Sequence, residues 1–225
     1  MSLQTILSVA ESVSINDHKF AGQMMSRNMR ISTSEILTVQ PFQFGIKPMN
    51  YLLYSQNRAV LSALREADRI TEQYMNFGST GWTNYIRYQG DMTQAQIVAC
   101  QIQTSSLNKT IVLGSLPSIS ASAFIVKTGD FIQIGRYAYI ATADVLRGSL
   151  TTVNIPVHRP LMTTVATPVA AVIGQYGSVT FGATAYTGVT FPVVVREYPA
   201  YTLIPMTNDS FIQWDNQFSA VEVVL

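Results

Sequence analysis

Short runs of alternating apolar and polar side chains recur along most of this chain, and such alternation is typical of β-strands. The runs are about five residues long and are separated by turn residues, so we expect a series of short strands. A hairpin is predicted from 131–134 and 137–141, with Gly135-Arg136 as its two-residue connection. The other predicted strands are 36–46, 84–89, 97–103, 110–113, 124–126, 153–157, 169–173, 178–181, 189–195, 202–204 and 221–225.

The segment 55–76 departs from this alternation. Its apolar residues recur at spacings of three and four, which places them on one face of a helix. The residues of this apolar stripe are Val60, Leu64, Ala67, Ile70 and Tyr74. Ser55 is the predicted N-cap, and Gly78 is predicted to close the helix at its C-terminal end. We therefore predict one amphipathic helix over 55–76, with a charged face that meets water.

The first 34 residues show little periodicity apart from a weak amphipathic start at Leu3, Ile6 and Leu7. A segment of this kind is typical of a mobile or partner-bound terminus. We predict an N-terminal arm over 1–34 that begins with a short helix.

Charged residues are scarce in this chain. They make up 12% of it, against about 25% in an ordinary soluble domain, and hydrophobic residues make up 48%. From Pro160 to Val195 there is no Asp, Glu, Lys or Arg. Charge keeps protein surfaces apart, and the centres of protein–protein contacts are depleted in it. The composition therefore favours a subunit covered by neighbours, with 1–34 and 160–195 as candidate contact surfaces.

Composition also argues against several classes of protein. A net charge of +1 gives no electrostatic reason to expect nucleic acid, which needs a basic face. No continuous run of about 20 apolar residues is present, so we expect no membrane span. A single cysteine, Cys100, cannot form the disulfide framework of a small secreted domain, and the first residues do not resemble a secretory signal.

Candidate chemical groups are few. Cys100 lies on the apolar side of a predicted strand, which favours a thiol in the core. His18 and His158 are far apart and have no cluster of metal-ligand residues beside them, so we expect no catalytic, metal or cofactor site.

Two functional alternatives remain open on particular side chains. Trp82, Tyr85 and Tyr88 form an aromatic cluster that would suit a carbohydrate-binding or host-recognition module. Asp130 or Asp144 would serve a β-rich hydrolase of polysaccharide or cell wall if folding brought a second carboxylate close. Packing explains the aromatic residues equally well, and turn formation explains the aspartates.

Several segments together resemble a known group of proteins. They are VQPFQF (39–44), YSQNRAVLSAL (54–64), KTGDFIQIG (127–135), TADV (142–145), VHRPL (157–161) and REYP (196–199). This set resembles virion structural proteins in the tails of tailed bacteriophages, especially the long contractile-tailed phages of cyanobacteria. The resemblance covers most of the chain from about residue 38, and its motifs define a fold rather than a catalytic site.

The resemblance implies a tail-tube-like architecture, in which a twisted antiparallel sheet is flanked by one helix. Subunits of that family form rings, usually of six, around a central channel. We accordingly expect a mainly β, α+β fold with a tail-tube-like domain over 35–94 and 166–225. An inserted β-barrel-like domain is expected over 95–165. Because a plain tube subunit needs no insert, the insert suggests an adaptor, hub or baseplate component, and a neck or tail-completion protein stays open.

The expected function is that of a non-enzymatic structural subunit of a phage tail or baseplate. Its partners would be copies of itself in a ring and other tail, tube or baseplate proteins. It would be assembled in the host cytoplasm and located in the virion.

Overall fold

A computed structural model of the chain describes residues 3–17, 21–25, 31–35, 41–66, 70–103 and 108–224. The described protein is mainly β, with antiparallel strands and a few helices, so the predicted fold class is confirmed. The chain divides into two compact units. Unit 1 comprises the described residues up to Met75 and from Pro192 on, and unit 2 comprises Asn76–Phe191.

The helices among the described residues are α1 Leu3–Ser8, α2 Tyr54–Glu66 and α3 Gln94–Ala99, and a 3₁₀ turn covers Thr83–Tyr85. The strands before α3 are β1 Ala10–Asn16, β2 Ala21–Met25, β3 Ile31–Glu35, β4 Gln43–Pro48, β5 Leu52–Leu53 and β6 Gln73–Asn76. The next strands are β7 Gln101–Ile102, β8 Thr110–Gly114, β9 Phe124–Val126, β10 Phe131–Ile134, β11 Tyr137–Ile140, β12 Val145–Leu146 and β13 Val153–Pro156. The last strands are β14 Val169–Ala170, β15 Val172–Ile173, β16 Ser178–Phe181, β17 Thr184–Thr187, β18 Thr190–Glu197, β19 Tyr201–Pro205, β20 Ser210–Trp214 and β21 Phe218–Glu222.

Unit 1 is built on a five-stranded sheet in the order β1-β4-β21-β18-β6. Because side chains alternate along a strand, one face of this sheet collects large apolar residues into a core. Phe44, Ile46, Val195 and Phe218 are all buried on it. Residues 36–40 of the predicted strand 36–46 lie outside the described residues, and the strand found there, β4, runs from Gln43 to Pro48.

Two elements of the predicted N-terminal arm, helix α1 and strand β1, pack into unit 1. Helix α1 is present, as predicted, and it buries Leu3, Ile6 and Leu7 at 1% exposure or less. Strand β1 pairs with β4 and forms one edge of the sheet. Burying a large apolar side chain contributes roughly 1.5–3 kcal/mol, which offsets the cost of ordering this segment. The weak amphipathic start was therefore the signal of a packed element.

The predicted helix over 55–76 is correct at its start and too long at its end. Helix α2 runs from Tyr54 to Glu66, residues 67–69 lie outside the described part, and Gln73–Asn76 is a strand. Ile70, a member of the predicted stripe, is 86% exposed. Met75 is buried at the sheet edge beside β18, and this long-range pairing overrides the helical spacing.

Unit 1 also contains the two-stranded sheet β2-β3 and a three-stranded sheet in the order β19-β20-β5. Helix α2 packs on β20 and β5, and Val60 and Leu61 are buried. The turn between β19 and β20 binds the first turn of α2. Ser55 N and Ser55 Oγ donate hydrogen bonds to the Asp209 carboxylate, at 3.2 and 2.5 Å.

Unit 2 consists of small antiparallel sheets around one hydrophobic cluster. The sheets have the orders β13-β8-β7-β14, β11-β10-β15, β12-β9 and β16-β17. The insert expected over 95–165 lies inside this unit, which extends to both sides of it. The reason is that flanking residues such as Tyr88, Met92 and Ile173 share its cluster.

Two predicted strands of unit 2 are wrong. The segment 84–89 begins in a 3₁₀ turn, and 97–103 starts as the last residues of helix α3 and keeps only the short strand β7. A capping box at Thr93 and Gln96 starts α3, and Val98, expected on the apolar side, is 51% exposed. By contrast, the hairpin β10–β11 is confirmed, and Gly135 in its turn has a φ of 56°, which favours glycine.

Candidate interaction surfaces

Cys100 is a buried thiol, as predicted. It caps the C-terminal end of α3, and its Sγ lies 3.3 Å from the Gln96 carbonyl oxygen and 4.0 Å from Met92 Sδ. Burial raises the pKa of this thiol to about 11. A thiol that stays protonated near neutral pH and is closed to solvent does not act as a nucleophile.

The aromatic cluster chosen for sugar stacking is packed into unit 2. The Tyr85 ring lies between those of Phe77 and Phe131, with ring centroids 5.3 and 4.9 Å away. Tyr88 is buried, and its hydroxyl donates to the Ile125 carbonyl at 2.6 Å. Burial raises the pKa of Tyr88 far above its usual range. Two of the three rings therefore serve the core.

The aspartates chosen for hydrolysis both support the turn between β9 and β10. Asp130 is fully buried, and its two carboxylate oxygens accept hydrogen bonds from Gln89 N and Lys127 N, each at 2.8 Å. Burial raises the pKa of Asp130, although these two bonds oppose the shift. Asp144 is exposed and accepts from Thr128 N and Oγ1, which lower the pKa of Asp144. Asp144 is thus bound by donors of the turn, and Asp130 by one donor of the turn and by Gln89 N.

His158 is a structural residue that follows β13 and bonds to the end of β11. Its ring Nδ1 accepts a hydrogen bond from Ile140 N at 3.0 Å, and its backbone N–H donates to the Ile140 carbonyl at 3.0 Å. These two bonds tie the segment after β13 to the end of β11, while His18 lies outside the described residues. No group of three His, Cys, Asp or Glu side chains is placed to hold a metal ion in the part of the chain that the structure describes.

The part of the uncharged stretch 160–195 that belongs to unit 2 contributes two exposed features. The first is the hairpin β16–β17, a two-stranded ribbon that is paired to no other strand among the described residues. Ser178, Thr180, Ala185 and Thr187 lie opposite one another on one face of the ribbon, and all are exposed. The other face carries Val179, Phe181 and Tyr186, which are buried or half-buried. The ribbon therefore presents one neutral face to solvent.

The second feature is a neutral cleft of about 480 Å³ beside this ribbon. It is lined by residues of β10, β14 and β16 and by the loop 163–167, and no lining residue carries a charge. Strand β14 is the edge of its sheet. Both features expose strand edges without the charges that normally block edge-to-edge pairing.

Sequence reasoning missed a third surface, a cleft in unit 1 between α2 and β19. Arg65 and Tyr201 meet there although they are 136 positions apart in sequence. No local pattern predicts that contact. The sequence did carry one sign of an uncharged surface here, because the chain has no charged residue between Glu197 and Asp209.

None of the described helices has the length and apolar character that a bilayer crossing requires. No protein-family model matches this sequence, and no curated protein matches it.

Proposed function

We propose that this chain is a non-enzymatic structural subunit of a phage tail or baseplate, which assembles through sheet edges and apolar faces into a ring around or at the end of the tail tube. Its partners are copies of itself and other tail, tube or baseplate proteins, and its place is the virion. The assignment to a phage particle rests on the resemblance of segments such as 54–64 and 127–135 to tail proteins of tailed bacteriophages.

One observation carries the proposal: the ribbon β16–β17 presents a neutral, exposed face in a chain that is poor in charge. A two-stranded ribbon gains little stability by itself in water. Its free edges are a template for pairing with another chain. A closed ring of identical subunits removes such edges, because each subunit covers its neighbour.

Neither alternative function gains a supporting observation. The aromatic rings of Tyr85 and Tyr88 pack within unit 2, and Asp130 and Asp144 are bound by the backbone of one turn. Self-association accounts for the missing charge, whereas a sugar site or a hydrolase would leave it unexplained.

The proposal is tested with the full chain by sedimentation velocity across a range of concentrations and by electron microscopy. We expect the wild-type protein to form rings, and Thr180→Lys and Ala185→Lys to dissociate them without lowering the unfolding temperature. These two residues lie opposite each other on the exposed face of the ribbon. Ser62→Lys, on the exposed side of α2, is the matched control and should assemble normally.

A wild-type chain that stays monomeric at high concentration, and that does not join particles with other tail proteins, would overturn the proposal. Lysine variants that assemble as well as the wild type would exclude the ribbon as the contact.

A further inference from the structure

Strand β19 is an unprotected sheet edge. It pairs with β20 on one side, and it is the last strand of its sheet. Asp215 N donates to the Ala200 carbonyl at 3.0 Å, and Met206 N donates to the Asp209 carbonyl at 2.8 Å. In an antiparallel pair, alternate residues point their backbone groups at the partner. The backbone groups of Tyr201 and Leu203 therefore point outward, and they have no backbone partner among the described residues.

Up to Pro205, this edge lacks the usual devices against strand addition. Charged side chains and bulges normally block such edges, but β19 is free of charge and pairs with β20 in unbroken register. Leu203 is 40% exposed. Pro205, which has no N–H group, stands at the end of the strand. The stretch before Pro205 is open to a further strand.

A cleft of about 490 Å³ lies beside this edge. Leu61 and Arg65 of α2 line one side, and Tyr201, Leu203 and Trp214 line the other. Leu61 and Trp214 are buried, so the cleft has an apolar floor. Its volume lies within the range of sites that take a side chain or a small ligand.

Arg65 brings a positive charge to the rim of this cleft. Its guanidinium donates a hydrogen bond to Tyr201 Oη at 2.9 Å and lies 5.6 Å from the centre of the Tyr201 ring. No carboxylate pairs with Arg65 among the described residues. A guanidinium has five N–H donors, and stacking on a ring holds it ready for a carboxylate.

From these observations we infer that β19 binds an extended segment of another protein, which adds as a strand outside Tyr201 and Leu203. One apolar side chain of the segment enters the cleft, and an Asp or Glu of the segment pairs with Arg65. Backbone hydrogen bonds supply affinity in such strand addition, and the pockets for alternate side chains supply specificity. The site lies in unit 1, whereas the ribbon β16–β17 of the proposed ring contact lies in unit 2.

The charge of the cleft favours a foreign segment over a second copy of this chain. Strand β1 is another edge strand of unit 1, and Glu11 is its one carboxylate. Glu11 is already paired with Lys47 at 3.1 Å. A second copy is therefore an outcome that the experiment must distinguish.

The probe is a set of short fluorescent peptides of alternating Val and Thr, with one Asp placed in turn at each position, and a matched set with Lys in place of Asp. Binding to the full chain is measured by fluorescence polarisation. We expect the Asp peptides to bind in one preferred register and the Lys peptides to bind at least about tenfold more weakly. Arg65→Ala should remove this preference, and Arg58→Ala on the same helix is the control that should keep it.

Strand addition has its own signature, which does not depend on altering the protein. Methylating the backbone nitrogens of the best peptide one at a time should abolish binding at every second position, because alternate N–H groups face β19. Leu203→Pro, which removes an outward N–H, should weaken binding at least about tenfold, while Leu203→Val should not.

Equal binding of the Asp and Lys peptides, or a methylation pattern without a two-residue period, would overturn the inference. So would loss of self-association in Arg65→Ala, since that result would make β19 a contact between copies. Ring formation by the Arg65→Ala variant leaves the proposed function intact, so the two ideas fail separately.

Discussion

Asp130 and Asp144 support the same turn of unit 2, but they do so from opposite environments. Asp130 is fully buried and accepts two backbone N–H groups, whereas Asp144 is exposed. Asp130→Asn leaves one of those partly buried donors facing an amide NH₂, so we expect the free energy of unfolding to fall by roughly 1–3 kcal/mol. Urea denaturation measures this loss. Asp144→Asn is the matched control and should cost clearly less, and equal losses in the two variants would contradict the role given to Asp130.

The Asp209 carboxylate predicts a dependence of stability on pH. Hydrogen bonds from Ser55 and Ser210 lower the pKa of Asp209 in the folded chain. A lowered pKa adds stability above the ordinary aspartate value of about 3.9, and this stability is lost as the pH falls through the folded-state value. Ser55→Ala should therefore be less stable than the wild type at neutral pH, and the gap should close in acid.

Denaturation curves at a series of pH values from neutral to acid measure this gap. Ser62→Ala, on the exposed side of α2, is the control and should show no gap that varies with pH. A Ser55→Ala gap that persists at acid pH would mean that the hydroxyl acts through something other than the Asp209 charge.

Among the elements, α3 shows how a short apolar run misleads. The apolar residues Val98, Cys100 and Ile102 alternate as they would in a strand. The same short run is also compatible with a helix that is capped at Cys100. The deciding signal was local and readable, because Thr93 accepts a hydrogen bond from Gln96 N while the Gln96 side chain accepts one from Thr93 N. The strand prediction passed over this capping box.

Removing that cap should weaken α3 directly. Thr93 is exposed and its hydroxyl serves the helix, so Thr93→Ala should lower the free energy of unfolding by about 1 kcal/mol. Thermal denaturation checks this value, with Thr93→Ser as the conservative variant that should retain it. If the serine variant lost as much as the alanine variant, the methyl group rather than the cap would be responsible.

At the scale of the whole chain, local patterns predicted the fold class, the hairpin β10–β11 and the start of α2. They did not predict where α2 ends, because Gln73–Asn76 takes a strand conformation at an edge of the unit 1 sheet. Nor did they predict the cleft of Arg65 and Tyr201, since the contact joins distant parts of the sequence. Long-range contacts of this kind are set by the tertiary arrangement of the strands. The local sequence pattern does not encode that arrangement.

The scarcity of charge makes a prediction about the assembled state. If the neutral face of the ribbon β16–β17 forms the contact, raising NaCl from about 0.05 to 0.5 M should change the association constant by less than about threefold, because salt screens only charges. Sodium sulfate should strengthen association, since it favours burial of apolar surface. Thr180→Lys supplies the comparison: its repeated positive charge makes association weak at low salt and stronger as NaCl rises. Rings of the wild-type chain that dissociate in NaCl would instead place the contact on charged surfaces such as α2, and the neutral ribbon would then need another partner.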